Sequence, residues 1–178
     1  MAAKQRFALF LESAGSGDAA AQAVRRHGAV AVAAARAEFS GRILIGVSTR
    51  AEIVALIGEP DTSAGSAIAY ALATRPDYRY VFDFDDATGK LTRAGYHRVG
   101  ASPPPPAPPD GRRDHGRFLA ELAALGATER EVRLWLGDPD EEFGWWPISN
   151  WVYAAGLVIE FRHGVVEGRP RESSKAAR

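Results

Sequence analysis

The sequence predicts an α+β fold in which two helix-plus-antiparallel-sheet repeats follow an N-terminal helical extension. The first observation is a repeated motif, "VSTRAEIVALIGEPD" at residues 47–61 and "ATEREVRLWLGDPD" at residues 127–140. The second is that strand-type residues interrupted by turn formers follow each copy. The third is an alanine-rich stretch before the first copy, typical of helix. We therefore expect a duplicated unit.

The N-terminal segment, residues 1–40, is expected to be helical. "FALFL" is shorter than the roughly 7 to 15 apolar residues of a secretory core, so we interpret it as part of a helix. "DAAAQAVRRHGAVAVAAARAEF" predicts one or two further helices, broken near Gly28. No run approaches the roughly 20 apolar residues that span a bilayer. We expect a cytoplasmic protein without membrane insertion.

The repeated motif predicts one short, capped helix in each repeat. An offset of 79 positions aligns Thr49 with Thr128 and Glu52 with Glu131. A threonine followed three residues later by glutamate is a capping box, which satisfies backbone donors at a helix start. A glycine in the left-handed conformation and a proline two residues later should end each helix. The apolar stripes of the two helices are Ile53, Leu56 and Ile57, and Val132, Trp135 and Leu136.

Each helix should lead into an antiparallel meander of three strands. Alternation places four aromatic residues of the first repeat on one strand face: Tyr78, Tyr80, Phe82 and Phe84. In the second repeat Leu157, Ile159 and Phe161 share a face. The turn signals "DDATGK" and "RHG" should return the chain into a third strand, "KLTRAGYHRV" and "VVEGRPR".

A proline-rich segment, residues 101–113, separates the first repeat (41–100) from the second (114–170). Consecutive prolines forbid a helix and favour a stiff polyproline II spacer. The alternative is a docking ligand for an aromatic-grooved module, because "PPPPAPP" contains PxxP. The second repeat begins with an amphipathic helix that Asp114 could cap, with its apolar face at Phe118, Leu119, Leu122 and Leu125. Residues 171–178 should be a disordered tail.

"GRILIGVSTRAEIVALIGEPD", followed by "AYAL" and "YVFDFDDATGKL", resembles the SmpA/OmlA (BamE-like) domain, and "LGATEREVRLWLGDPD" through "WVYAAGLVIEFRHGVV" resembles a second copy. The tandem arrangement is also similar to the architecture of the beta-lactamase inhibitor proteins. The resemblance implies a protein-binding scaffold. BamE-like proteins are lipoproteins and the secreted inhibitors have disulfides, whereas this chain contains no cysteine.

Composition and motifs argue against an enzyme. Because 22 basic residues balance 22 acidic ones, the chain has no net positive charge that would attract nucleic acid. The absence of cysteine excludes disulfides, thiolate metal ligands and cysteine nucleophiles. The histidines lack a metal-binding spacing, and we expect surface or loop positions for His27, His97, His115 and His163. "DFDDATG" is typical of a hairpin turn rather than a calcium loop. We expect no metal, no cofactor and no catalytic residues.

The strongest binding signal is "EEFGWWPISNW", residues 141–151. Pro147 predicts that Trp145 and Trp146 are loop residues, where exposed tryptophans would anchor a protein partner. The alternative is that they cover the edge of a small core, with Trp151 pointing inward. The candidate partner-binding residues are Phe143, Trp145, Trp146 and Trp151, with Tyr78 and Tyr80 as secondary candidates that could instead be core.

The sequence thus favours a non-enzymatic protein-binding module, in a concrete version an inhibitor or immunity-type protein that uses an aromatic sheet or loop surface. One alternative is a structural or accessory subunit of a larger assembly that docks through its N-terminal helices. Another is a small-ligand sensor or enzyme with a pocket between the two sheets. The identity of the partner and the oligomeric state stay open.

Overall fold

The structure, a computed structural model that describes residues 1–14 and 17–167, divides into two compact units at the peptide bond between residues 99 and 100. The first unit begins with three helices and continues with a fourth helix and a four-stranded antiparallel sheet. The helices are α1 (Ala3–Ser13), α2 (Gly17–His27), α3 (Ala29–Phe39) and α4 (Arg50–Ile57). The strands are β1 (Thr62–Ala64), β2 (Ala67–Ala71), β3 (Tyr78–Phe84) and β4 (Leu91–Arg98), in the order β1-β2-β3-β4.

As far as residue 167, the second unit has two α-helices and a second four-stranded antiparallel sheet. The helices are α5 (His115–Ala124) and α6 (Glu129–Leu136). The strands are β5 (Glu141–Trp145), β6 (Ile148–Tyr153), β7 (Leu157–Arg162) and β8 (Val165–Val166), in the order β5-β6-β7-β8. The predicted α+β class is confirmed: N-terminal helices come first along the chain, and two repeats of helix and antiparallel sheet follow them.

Each meander has four strands rather than the predicted three. The additional strands are β1 and β5, which pair with β2 and β6 at one edge of each sheet. Both are exposed along their whole length, so neither shows the alternation of buried and exposed residues that predicts a strand. Of the last predicted strand, "VVEGRPR", Val165 and Val166 form β8, and residues 168–171 lie outside the described residues.

The two capping boxes are confirmed. The Thr49 hydroxyl accepts the Glu52 N–H at 3.4 Å, and the Glu52 carboxylate accepts the Thr49 N–H at 2.7 Å. In the second unit the Thr128 hydroxyl accepts the Glu131 N–H at 3.3 Å, and the Glu131 carboxylate accepts the Thr128 N–H at 2.9 Å. The glycines that end these helices have positive φ as predicted, but their ψ is extended instead of left-handed α. The values are φ 100° and ψ −178° at Gly58, and φ 80° and ψ −168° at Gly137.

The N-terminal helices build the core of the first unit. The predicted break at Gly28 is confirmed, where φ is 86° between α2 and α3. The ring of Phe7 in α1 lies 5.3 Å from the rings of both Phe39 and Tyr80 and 5.9 Å from that of Phe82. The shared face predicted for the β3 aromatics is therefore the face that these helices cover. Its fully buried members are Tyr80 and Phe82.

The core of the second unit lies between its two helices and one face of its sheet. The predicted shared face of β7 is confirmed, because its three apolar residues are buried in this core. The other buried members come from both helices, β6, β8 and the residue before Thr128: Phe118, Leu119, Leu122, Ala127, Val132, Trp151 and Val166. Asp114 forms no side-chain cap bond to α5, because a 3₁₀ turn over residues 112–114 leads directly into the helix.

The proline-rich segment contains neither helix nor strand over residues 101–109. Every third residue is half-buried, at Pro103, Pro106 and Pro109, and the residues between them are exposed. That period matches the three residues per turn of polyproline II. Within the described ranges, no helix has the length and apolar character needed to cross a bilayer. The predicted tail, residues 171–178, and the end of the second repeat, residues 168–170, lie outside them.

Candidate protein-binding edge

The strand registers align the two repeats residue by residue. Ala64 pairs with Ala67 in the first β-hairpin, and Phe143 pairs with Asn150 at the equivalent place in the second. The framework matches on both sides of these hairpins. Single β-bridges join Thr49 to Lys90 in the first unit and Thr128 to Val165 in the second. The two units are therefore duplicates at the level of hydrogen-bonded positions.

The second hairpin carries an insertion. Two residues separate Ala64 from Ala67, whereas six, residues 144–149, separate Phe143 from Asn150, so the second repeat has four additional residues at this tip. The tip contains Trp145 and Trp146. We call residues 144–149 the hairpin extension. Both tryptophans thus belong to a segment that the duplicated framework does not require.

Phe143 and Trp145 are exposed on edge strand β5. Their exposed fractions are 55% and 79%, which are high for large apolar side chains. The prediction that Trp145 is a loop residue is wrong, because it pairs with Ile148 as the last residue of β5. Alternation along the strand places Phe143 and Trp145 on the same face, opposite the face that carries Trp151.

Trp146 occupies the turn of the hairpin, as predicted from Pro147, and it is half-buried. Its ring packs edge-on against His163 with centroids 5.3 Å apart, which joins the hairpin extension to the turn between β7 and β8. His163 lies in the turn between β7 and β8, which agrees with the expectation of a surface or loop position. It is 2% exposed, because Trp146 packs on it.

Trp151 is unavailable to a partner, in contrast to its place among the candidate residues. It is 0% exposed and packs 4.6 Å from Phe161, on the sheet face covered by the helices. The guanidinium of Arg133 lies over its ring, 4.6 Å from the ring centroid. The inward orientation considered for this residue is the observed one, because β6 alternation directs it to the core.

Tyr78 and Tyr80 lie in the first unit. Tyr80 is 0% exposed and belongs to the core around Phe7, so it is removed from the candidate surface. Tyr78 is half-buried, with the guanidinium groups of Arg75 and Arg98 at 5.9 and 4.8 Å from its ring centroid. Of the six candidates, the hairpin brings together Phe143, Trp145 and Trp146.

The start of β5 is acidic. Asp138, Asp140, Glu141 and Glu142 are exposed. Arg133 donates hydrogen bonds to Asp138 at 2.9 Å and to Glu142 at 3.1 Å. Glu141 forms no ion pair with any residue that the structure describes, and it shares the face of Phe143 and Trp145. The edge strand therefore runs from a carboxylate end to an aromatic end.

Sequence reasoning identified the aromatic residues but missed the edge strand and the insertion. The signal was present in the spacing of the repeats. The offset between equivalent residues is 79 at Asp61 and Asp140 but 83 at Tyr70 and Tyr153. That change of four residues marks the hairpin extension.

Over residues 1–14 and 17–167, no group of three or more acidic or histidine side chains is arranged to hold a metal ion. "DFDDATG" forms the predicted hairpin turn, in which Asp85 accepts the N–H groups of Ala87 and Thr88. Comparisons with protein-family models, curated proteins and solved structures gave no significant match.

Proposed function

We propose that this chain is a non-enzymatic protein-binding module that captures its partner through β5 and the hairpin extension. The observation that carries the proposal is the exposure of Phe143 and Trp145, at 55% and 79%, on the edge strand of the second sheet. Large aromatic side chains supply much apolar area at low conformational cost, and they dominate the binding energy of protein interfaces. In its concrete version, the proposal is that the module covers its partner as an inhibitor or immunity-type protein does.

The first repeat serves as an internal comparison. Its equivalent edge strand, β1, has the sequence Thr-Ser-Ala and carries no large apolar side chain. The same four-stranded sheet therefore forms without exposed aromatics at this edge. Because the fold does not need them, the aromatic residues of β5 are better explained by a partner than by folding.

Tandem SmpA/OmlA (BamE-like) repeats are the family that we propose for this scaffold. Its support is the duplicated order of capped helix, glycine, proline and antiparallel meander in the two units. The resemblance favours binding over catalysis, but a fold alone does not fix a function, so the proposal depends on the hairpin residues.

The test is affinity capture from the native cell with the full-length protein as bait and quantification of co-purified proteins by mass spectrometry. We expect Phe143→Ala with Trp145→Ala to lower recovery of the main partner at least tenfold, because anchor residues at interfaces contribute roughly 2 kcal/mol or more. Leu134→Ala is the matched control. Leu134 is an exposed apolar residue on α6 of the same unit, at 75% exposure.

Equal recovery by the double variant and the wild type would refute the proposal. Circular dichroism and the unfolding midpoint verify that both variants are folded. Little stability should be lost, because each replaced side chain is more than half exposed.

A further inference from the structure

We infer that the partner supplies an extended segment that adds to β5 as a fifth strand, with a basic residue beside Glu141 and apolar residues beside Phe143 and Trp145. This inference rests on the proposed function and specifies how the same edge would bind. In strand addition, main-chain hydrogen bonds to a sheet edge supply affinity, and alternate side chains supply specificity.

The position of β5 provides the backbone for such pairing. It is the first strand in the order β5-β6-β7-β8, so β6 occupies one side and no described strand lies on the other. All five of its residues are exposed. Natural edge strands are commonly very short, covered or carry charges that prevent pairing. The β1 strand is short, with three residues, whereas β5 is longer and carries its charges at one end only.

Side-chain alternation fixes which groups a partner strand would meet. Glu141, Phe143 and Trp145 project from one face, and Glu142 projects from the other, where it bonds to Arg133. Residues directly opposite in neighbouring strands interact when they are aromatic with apolar or of opposite charge. The complementary segment therefore has one Lys or Arg and two apolar residues at alternate positions, apolar-x-apolar-x-basic or the reverse.

Charge complementarity favours a foreign basic segment over a second copy of this chain. Four carboxylates lie at the start of β5, and Arg133 bonds to two of them. Antiparallel pairing of two copies centred on Phe143 would place the Glu141 carboxylate against the Trp145 ring of the other copy. A lysine or arginine at that place forms a cross-strand ion pair instead.

The test is to select, from a displayed library of random heptapeptides, the peptides that bind to the immobilised full-length protein. We expect enrichment of the alternating pattern of two apolar residues and one basic residue. Glu141→Lys should change the preferred residue at the charged position from basic to acidic. Phe143→Ala with Trp145→Ala should abolish enrichment, and Leu134→Ala should leave it unchanged.

The enriched peptide and its backbone N-methylated form are then titrated against the protein. Two peptides are made, one N-methylated at its odd-numbered residues and one at its even-numbered residues. Only one of these sets of N–H groups points toward β5, so we expect at least a tenfold loss of affinity for one of the two peptides. Hydrogen exchange of the β5 amides should slow when the unmethylated peptide is bound.

Several outcomes would overturn strand addition. In the first, the apolar residues of the enriched peptides are spaced three or four positions apart, as on a helix. In the second, the wild-type protein enriches no peptides beyond those that the double variant enriches. In the third, both N-methylated peptides bind as tightly as the parent peptide. A concentration-dependent dimer that Trp145→Ala abolishes would show that a second copy occupies the edge. If cellular capture still requires Phe143 and Trp145, the proposed function survives and only this binding mode fails.

Discussion

The phenolic hydroxyl of Tyr70 donates a hydrogen bond of 2.8 Å to the carbonyl oxygen of Gly58, the residue that follows helix α4. Tyr153 makes the equivalent bond to Gly137 after α6, at 3.1 Å. Each tyrosine lies on the second strand of its sheet, so the bond joins the end of the capped helix to the sheet. Burial raises the pKa of both tyrosines to about 12.

Tyr70→Phe should destabilise the first unit by about 1 kcal/mol, because one hydrogen bond to a helix-terminal carbonyl is lost. Tyr153→Phe should cost less, since its hydroxyl bond is exposed to water. Urea denaturation followed by far-UV circular dichroism measures the first effect. All four tryptophans, residues 135–151, lie in the second unit, so tryptophan fluorescence isolates the second effect. Equal losses for both variants would contradict the burial argument.

Phe7→Ala should destabilise the first unit by about 3–5 kcal/mol, because it empties the centre of an aromatic core. Val30→Ala is the control, since Val30 is 85% exposed on α3 and should change stability by less than about 0.5 kcal/mol. Chemical denaturation measures both. A small effect of Phe7→Ala would show that α1 is dispensable for the core.

The same contacts bear on the subunit hypothesis, in which the N-terminal helices dock to another protein. Removal of residues 1–40 would uncover Tyr80 and Phe82, so loss of an assembly on truncation would not distinguish docking from misfolding. Point variants on the exposed side of the helices are the informative ones. Val24 and Val30 are both exposed there.

Thr128→Ala should cost about 1–2 kcal/mol, and Thr49→Ala should lie toward the lower end of the range for helix caps, about 0.5–1 kcal/mol. The difference follows from burial. Thr128 is 1% exposed and its partner Glu131 is 4% exposed, whereas Glu52 is exposed. Without the threonine hydroxyl, the Glu131 carboxylate loses a buried donor at 2.9 Å. Thermal unfolding of the two single variants checks the order.

The first unit should lose stability as the pH falls below about 4. Hydrogen bonds from the Thr49 backbone and hydroxyl lower the pKa of Glu52, a side-chain bond from Lys4 lowers that of Asp61, and bonds from Thr88 lower that of Asp85. A carboxylate with a depressed folded-state pKa stabilises above its ordinary value near 4, and the contribution disappears as the pH falls through the folded value. Urea midpoints between pH 3 and 7 measure this loss.

Glu52→Gln is the variant for that experiment. It should lower stability at pH 7 and flatten the acid dependence, because the titrating partner of Thr49 is gone. An acid dependence identical to that of the wild type would contradict the assignment.

Acrylamide should quench Trp145 strongly and Trp151 weakly, since their exposed fractions are 79% and 0%. Trp145→Phe should therefore remove the most accessible part of the fluorescence. Stern–Volmer plots of the wild type and this variant measure the difference. Identical accessibility in the two proteins would show that Trp145 is covered in solution.

The sequence predicted the elements whose signals are local and periodic. The capping boxes, the break at Gly28 and the residues that share a face on β3 and on β7 follow from short patterns in the chain. The edge strands could not be predicted in this way, because a strand exposed on both faces has no burial alternation. Whether a tryptophan of "EEFGWWPISNW" is core or surface depends on the strand register, which pairing in three dimensions decides.

A duplicated scaffold with one altered tip is also a modular one. The first hairpin offers the same anchor positions, Ala64 and Ala67, to a transplanted loop. Replacement of residues 65–66 by residues 144–149 would create a molecule with two copies of the aromatic tip. A partner with two binding sites could then bind both tips at once. The effective concentration for the second binding event would depend on the distance between the two tips. The chain thus offers a route to multivalent binders that leaves both hydrophobic cores intact.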